Sequence, residues 1–210
     1  MDPVRPDTLA FLAPGLLHQM GNVLFTIQGN AQTMKDEASG RERTAILAAT
    51  ERGSVALRML RCLLGDPAAV PAQAGVLLSQ LGDLARIPLR EAQQLLDVRH
   101  SARQSPVFVA PSDFCIAVAE ALCALVTILP TGMHGTLVLD LCEQGPRHAT
   151  VRVLFQQRGG ALPFPLDVGE LLARYETGQL RKHSRPALRT HAMGLELVFS
   201  GSGGAQAVQA

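Results

Sequence analysis

The sequence predicts an α+β protein: an N-terminal helical hairpin forming a dimeric four-helix bundle, followed by an α/β sandwich. Three observations point there. Two long amphipathic stretches open the chain, separated by a short breaker. After about residue 75 the pattern changes to strand-like runs grouped around one long apolar helix. Apolar residues make up 47% of the 210 residues, enough for a sizeable core.

The first helix is expected from about Asp7 to Lys35. Leu16, Met20, Val23, Ile27, Ala31 and Met34 recur at spacings of four and three, the seam of a helix packed on other helices. At ~100° per residue, His18, Asn22, Phe25 and Gly29 lie almost opposite that seam. His18 and Asn22 are four residues apart, so they stack on one face. On spacing alone, an exposed histidine on such a helix is an ordinary surface residue.

Asp36-Glu37-Ala38-Ser39-Gly40 supplies a turn. A second amphipathic helix follows from about Arg41 to Leu64, with Ile46, Ala49, Ala56, Leu60 and Leu63 at helical spacing. Gly53 inside it costs about 1 kcal/mol of propensity, which packing must offset. Gly65-Asp66-Pro67 ends it. A lone hairpin cannot cover its own apolar stripes, so a homodimer through residues 7–65 is expected. The alternative is cover by the rest of the same chain.

A linker is expected over 67–75, and an α/β domain over 76–210, after a hairpin domain of 1–66. Val76 to Arg86 reads as a helix, and Asp97 to Gln104 and Pro106 to Ala110 as short strands. Pro111-Ser112-Asp113 gives a start signal for a helix through Leu129. Pro130-Thr131-Gly132 is a turn, followed by strands over Gly135 to Leu141 and Ala149 to Phe155. Leu166 to Tyr175 is a short helix. Helices should cover one face of a mixed sheet.

The net charge is +1, with one Tyr and no Trp, so a basic, stacking nucleic-acid surface has no support. The apolar run Phe114 to Leu129 is interrupted by Glu120 and is short for a membrane span. The start MDPVRPDTLAF has no basic and apolar signal pattern. Cys62, Cys115, Cys123 and Cys142 form no CxxC pair and read as small core residues in a reducing, cytoplasmic compartment. His134, His148, His183 and His191 read as loop residues.

The stretch Leu16 to Ala31, LLHQMGNVLFTIQGNA, resembles the phosphoacceptor box of the sensor histidine kinases, with His18, Asn22, Leu24, Ile27 and Gly29 on its characteristic positions. Thr50-Glu51-Arg52 through Leu63-Leu64 resembles the second helix of that hairpin. The order of elements in the second half looks like a degenerate histidine-kinase ATP-binding domain. Its nucleotide motifs are eroded. Ala124 stands where the family has a magnesium-binding asparagine, and a methyl group cannot coordinate a hard cation. Glu120, one turn earlier, where the family often has a polar or acidic residue, could still contact a metal; its ordinary role is a helix-face charge. Gln157-Arg158-Gly159-Gly160-Ala161-Leu162-Pro163 replaces the adenine-reading aspartate and its second glycine. In Ala192-Met193-Gly194-Leu195-Glu196-Leu197, Glu196 takes a glycine position near the expected phosphates, where a negative charge repels a polyanion. Gly203-Gly204 then arrives early.

The resemblance therefore implies a dimeric histidine phosphotransferase. His18 would exchange a phosphoryl group with response-regulator aspartates in a bacterial two-component phosphorelay, without using ATP. A neutral imidazole, with a reference pKa of ~6.5, has the lone pair this needs. Asn22 would contact the phosphoryl group or a water, and Gln19 and Phe25 would meet the partner. No cofactor is expected on this chain; Mg2+ belongs to the receiver domain. Gln19 stands where self-phosphorylating relatives carry an acid, and it cannot act as a base. Two other readings stay open: a pseudo-histidine-kinase adaptor that binds a sensor kinase or a regulator, and a divergent ATP-dependent histidine kinase.

Overall fold

The computed structural model describes residues 5–34, 40–66, 68–101, 106–130, 132–143, 148–158, 167–178, 186–191 and 193–201. The fold is α+β. Two helices, α1 (Pro6–Thr33) and α2 (Gly40–Leu63), form the hairpin. The sequence reading of both is correct to within two residues. Gly65 ends α2 with φ of 78°, where glycine avoids the Cβ clash of left-handed backbone. The Gly65 and Asp66 amides donate to the carbonyls of Cys62 and Arg61, both at 3.0 Å, closing the helix end. Arg61 and Asp66 add an ion pair at 2.6 Å.

The remaining elements are β1 (Ala72–Gln73), α3 (Ala74–Glu91), β2 (Leu95–Ser101), β3 (Phe108–Val109), α4 (Pro111–Ile128), β4 (Gly135–Glu143), β5 (His148–Gln157), α5 (Val168–Gly178), β6 (Ala187–His191) and β7 (Gly194–Ser200). β1 and β3 make a small antiparallel pair, so the stretch expected as a linker is partly structured. The main sheet runs β2-β4-β5-β7-β6, with β2 parallel to β4 and every other pair antiparallel.

Several expectations need correction. α4 starts at Pro111, where the sequence signal put it, but Ala110 holds its cap position with no side-chain cap and the helix ends at Ile128. Ser112 is inside the first turn and donates instead to the Asp66 carbonyl at 3.0 Å. β6 and β7 are additional strands: the run Gly194 to Ser200, which resembles a glycine motif, alternates buried and partly exposed residues along a strand. His148 opens β5 and His191 ends β6, so neither lies in a loop. The turn around Thr131, the motif residues 159–163, His183, Ala192 and Gly203-Gly204 lie outside the described residues.

α4 is the centre of the core. It packs on β5 and β7 and carries Phe114 against Phe199 with ring centroids 4.7 Å apart. α1 and α4 are each long and apolar enough to cross a membrane by composition, but α4 is mostly buried inside the fold. Leu12, Leu16, Met59 and Leu63 of the hairpin join the same core as Leu78, Leu81, Leu84 and Leu122. Burial of each such side chain contributes roughly 1.5–3 kcal/mol. One end of the hairpin is therefore covered by its own chain, the alternative that the homodimer expectation ranked second.

The outward face of the sheet carries a row of charges. Arg99, Asp140, Arg152, Glu196 and Arg189 are register partners across β2, β4, β5, β7 and β6 in turn. Arg152 Nε donates to Glu196 Oε1 at 3.0 Å and its guanidinium lies 3.8 Å from Asp140. That hydrogen bond to Glu196 is the main reason the Arg152 pKa is raised. Glu196 is thus a strand residue neutralised by its neighbour, not an isolated negative charge at a phosphate position.

Candidate functional site

The site begins with how α1 is held. At Gly15 a Cβ would collide with the backbone of Leu84 on α3, so only glycine lets the two helices approach this closely. At Gly53 a Cβ would stand 3.1 Å from Val23 Cγ1, which explains the glycine inside α2. His18 and Asn22 lie between these two anchoring contacts, on the side of α1 that faces solvent.

Asn22 Nδ2 lies 3.0 Å from His18 Nε2. The same i, i+4 row continues along the helix. Thr26 Oγ1 donates to the Asn22 carbonyl at 2.8 Å, and Asn30 Nδ2 donates to the Thr26 carbonyl at 2.7 Å. A rigid backbone, laced on this side by its own polar side chains, presents the imidazole. An amide N–H can only donate, so Nε2 of His18 carries the lone pair and Nδ1 the proton. The imidazole is exposed on a fixed support.

The residues expected at the site come together in part. Gln19, half-buried, and Asn22 line a cleft of about 260 Å³ with Val23, Arg52, Val55, Met59, Gln80 and Asp83. His18 stands beside this cleft and does not line it. Phe25 lies further along the His18 face, 79% exposed. Arg52 is in the stretch that resembles the second hairpin helix. Gln80 and Asp83 were not anticipated, since only the close approach of α3 at Gly15 brings them near, and a single sequence carries no signal of that contact. A second polar pair, Ser79 Oγ and His100 Nε2 at 3.1 Å, borders another pocket between α3 and β2.

The apolar face of α1 splits in two. Leu12, Leu16 and Val23 are buried against this chain's other helices. Leu17 and Leu24 are 73% and 63% exposed, and Met34 is exposed with them. Leu17, Met20, Leu24, Ile27, Ala31 and Met34 repeat at spacings of three and four, the heptad pattern of a coiled-coil seam. The seam read from the sequence mixed these two stripes, because Leu16 and Leu17 are adjacent and both fit the period. At ~100° per residue the exposed stripe lies well away from His18.

On α4, Ala124 is buried at 2% exposure and offers no polar atom. Glu120 is also buried, not a solvated helix-face charge, and accepts the Arg5 backbone N–H at 3.3 Å. Among the described residues, no group of three or more His, Cys, Asp or Glu side chains could hold a metal ion.

No protein-family model matches the chain, and no curated protein does. Among solved structures the chain is similar to histidine kinase catalytic and phosphotransferase domains. A bacterial phosphotransferase is 15% identical, covering 94% of this chain and 99% of that one, with a TM-score of 0.35. The mycobacterial sensor histidine kinase MprB is 21% identical, covering 63% of this chain and 97% of that one, with a TM-score of 0.40. A histidine kinase from Burkholderia phymatum STM815 is 12% identical, covering 90% of this chain and 98% of that one, with a TM-score of 0.42.

Proposed function

We propose that this chain is a histidine phosphotransferase of a bacterial two-component phosphorelay, working without ATP. The observation that carries the reading is the exposed imidazole of His18, with Asn22 donating to Nε2 at 3.0 Å. Nε2 attacks the phosphorus of an aspartyl phosphate on a receiver domain. The Nε2–P bond forms, the P–O bond to the aspartate breaks, and the carboxylate leaves with the electron pair. The reverse step delivers the phosphoryl group to another receiver. Asn22 swings from the ring nitrogen to a phosphoryl oxygen as the new bond forms. Mg2+ and the cationic groups that neutralise the phosphoryl charge belong to the receiver.

Two features favour relay over self-phosphorylation. Gln19 supplies no base next to the nucleophile. Ala124, buried on α4, supplies no ligand for the magnesium of ATP. For docking, Phe25 offers an apolar anchor, and the cleft beside His18 offers Gln19, Arg52 and Gln80. The exposed heptad stripe on α1 pairs with the same stripe of a second copy, giving a homodimer whose His18 faces stay free.

Gln19 also favours a second reading, a pseudokinase adaptor that binds a regulator or a sensor kinase without taking phosphate. Incubation with a panel of 32P-labelled receiver domains separates the two. A relay takes label on wild-type protein and none on His18→Ala. Receiver binding that survives His18→Ala, with no label on wild type, supports the adaptor and ends the relay reading.

A further inference from the structure

The start of α3 lies over the end of the β2-β4 pair and leaves a cavity of about 530 Å³ there. His100 of β2 and Leu141 of β4 are register partners, and strand alternation puts Glu143 on the same face of the sheet as Leu141. Val76, Pro106 and Leu141 give the cavity apolar walls. A Cβ at Gly75 would stand 3.4 Å from His100 Nδ1 and 3.7 Å from Leu141 Cδ2, so a larger residue there would fill the space beside the imidazole.

The polar groups of this cavity come from separate elements. Thr26, Thr44, Thr50, Ser54 and Thr127 each donate to a backbone carbonyl four residues back in their own helix. Ser79 on α3 instead meets Nε2 of His100 on β2, at 3.1 Å. Whichever of the two donates, the Ser79 hydroxyl keeps a lone pair for an incoming N–H. Glu143 Oε1 accepts the Val107 backbone N–H at 3.2 Å, and Glu143 makes no ion pair among the described residues. Among those residues, no Lys or Arg lines the cavity. Glu143 is therefore an uncompensated carboxylate beside apolar walls, where its field attracts a cation and repels an anion.

We propose that this cavity binds a small organic amine, held as its ammonium ion with an apolar body attached. Its volume falls within the roughly 300–1,000 Å³ usual for small-molecule sites, and apolar walls with a few convergent polar groups are their usual lining. An alkylammonium has three N–H donors and no acceptor. Glu143 and Ser79 accept two of them, and the side-chain carbonyls of Gln73 and Gln80, which also line the cavity, are acceptors for the third. The alkyl or aryl body lies against Val76, Pro106 and Leu141. The same carboxylate turns away anions of similar shape. This site does not rest on the phosphotransfer reading.

The test is calorimetric titration of the full-length chain at a pH of about 8, where alkylamines are charged and imidazoles are not. The probes are phenethylamine and hexylamine, each set against the alcohol of the same skeleton. At least one amine should saturate, and its alcohol should bind about tenfold more weakly or not at all. Glu143→Gln keeps an oxygen for the Val107 N–H, so the melting temperature should hold while amine affinity falls about tenfold. Ser79→Ala, at an exposed position, should leave the fold intact and lower amine affinity about threefold. Failure of both amines to saturate by about 10 mM would overturn the proposal. So would an alcohol that binds as tightly as its amine, or an amine affinity that neither Glu143→Gln nor Ser79→Ala changes.

Discussion

The side-chain amide of Asn22 reaches back one helical turn to Nε2 of His18, 3.0 Å away, and so decides which ring nitrogen carries the lone pair. Asn22→Ala removes that donor and leaves the ring free to change tautomer and rotamer. Phosphoryl transfer to His18 should slow about fivefold, matching the ~1 kcal/mol of one neutral hydrogen bond. Rapid-quench kinetics with a labelled receiver measures it, and the melting temperature should not move.

Gly15→Ala places a methyl group against the Leu84 backbone. α1 must lift away from α3, at a cost of roughly 2–3 kcal/mol. Urea denaturation should show the lower midpoint. Gly21→Ala, where nothing lies within 4 Å, is the control and should be neutral or slightly stabilising.

Phe25→Ala changes a side chain that is 79% exposed, so stability should stay within about 0.5 kcal/mol. Receiver affinity should nonetheless fall about tenfold if the ring is an anchor. Calorimetric titration against a cognate receiver checks both the loss and its size.

Leu17→Glu with Leu24→Glu puts charge on the exposed heptad stripe and should convert a dimer to a monomer. Light scattering should give twice the 22.4 kDa chain mass for the wild type and the single mass for the variant. A wild-type monomer at micromolar concentration would remove the four-helix bundle.

Glu196→Gly should not create nucleotide binding, although it restores a glycine at the position the sequence suggested. Glu196 is a strand residue whose carboxylate accepts from Arg152. Its loss leaves that guanidinium only the longer contact to Asp140 at 3.8 Å and loosens β7, costing about 1–2 kcal/mol. Calorimetry with Mg·ATP should remain flat while thermal unfolding shifts down.

Period and breakers made the hairpin, α4, β4 and β5 legible, because each is long and strongly patterned. The exposed side of α1 was legible for the same reason: angular arithmetic suffices for His18, Asn22 and Phe25. Where two chain segments meet, local pattern was blind. Leu16 and Leu17 both fit the apolar period, and only the position of α3 sends one inward and leaves the other out. Glu196 looked like a phosphate-repelling charge until the register of β5 and β7 set Arg152 beside it. Nothing local indicates that α2 ends against the start of α4, where Ser112 bonds to the Asp66 carbonyl.

The most direct test of the central claim is the identity of the phosphorylated atom. The chain is incubated with a phosphorylated receiver and no ATP, and the product is analysed by phosphorus NMR, which distinguishes the two phosphohistidine isomers. Phosphate on Nε2 of His18 is the predicted result. Phosphate on Nδ1, on another residue, or nowhere would contradict the account.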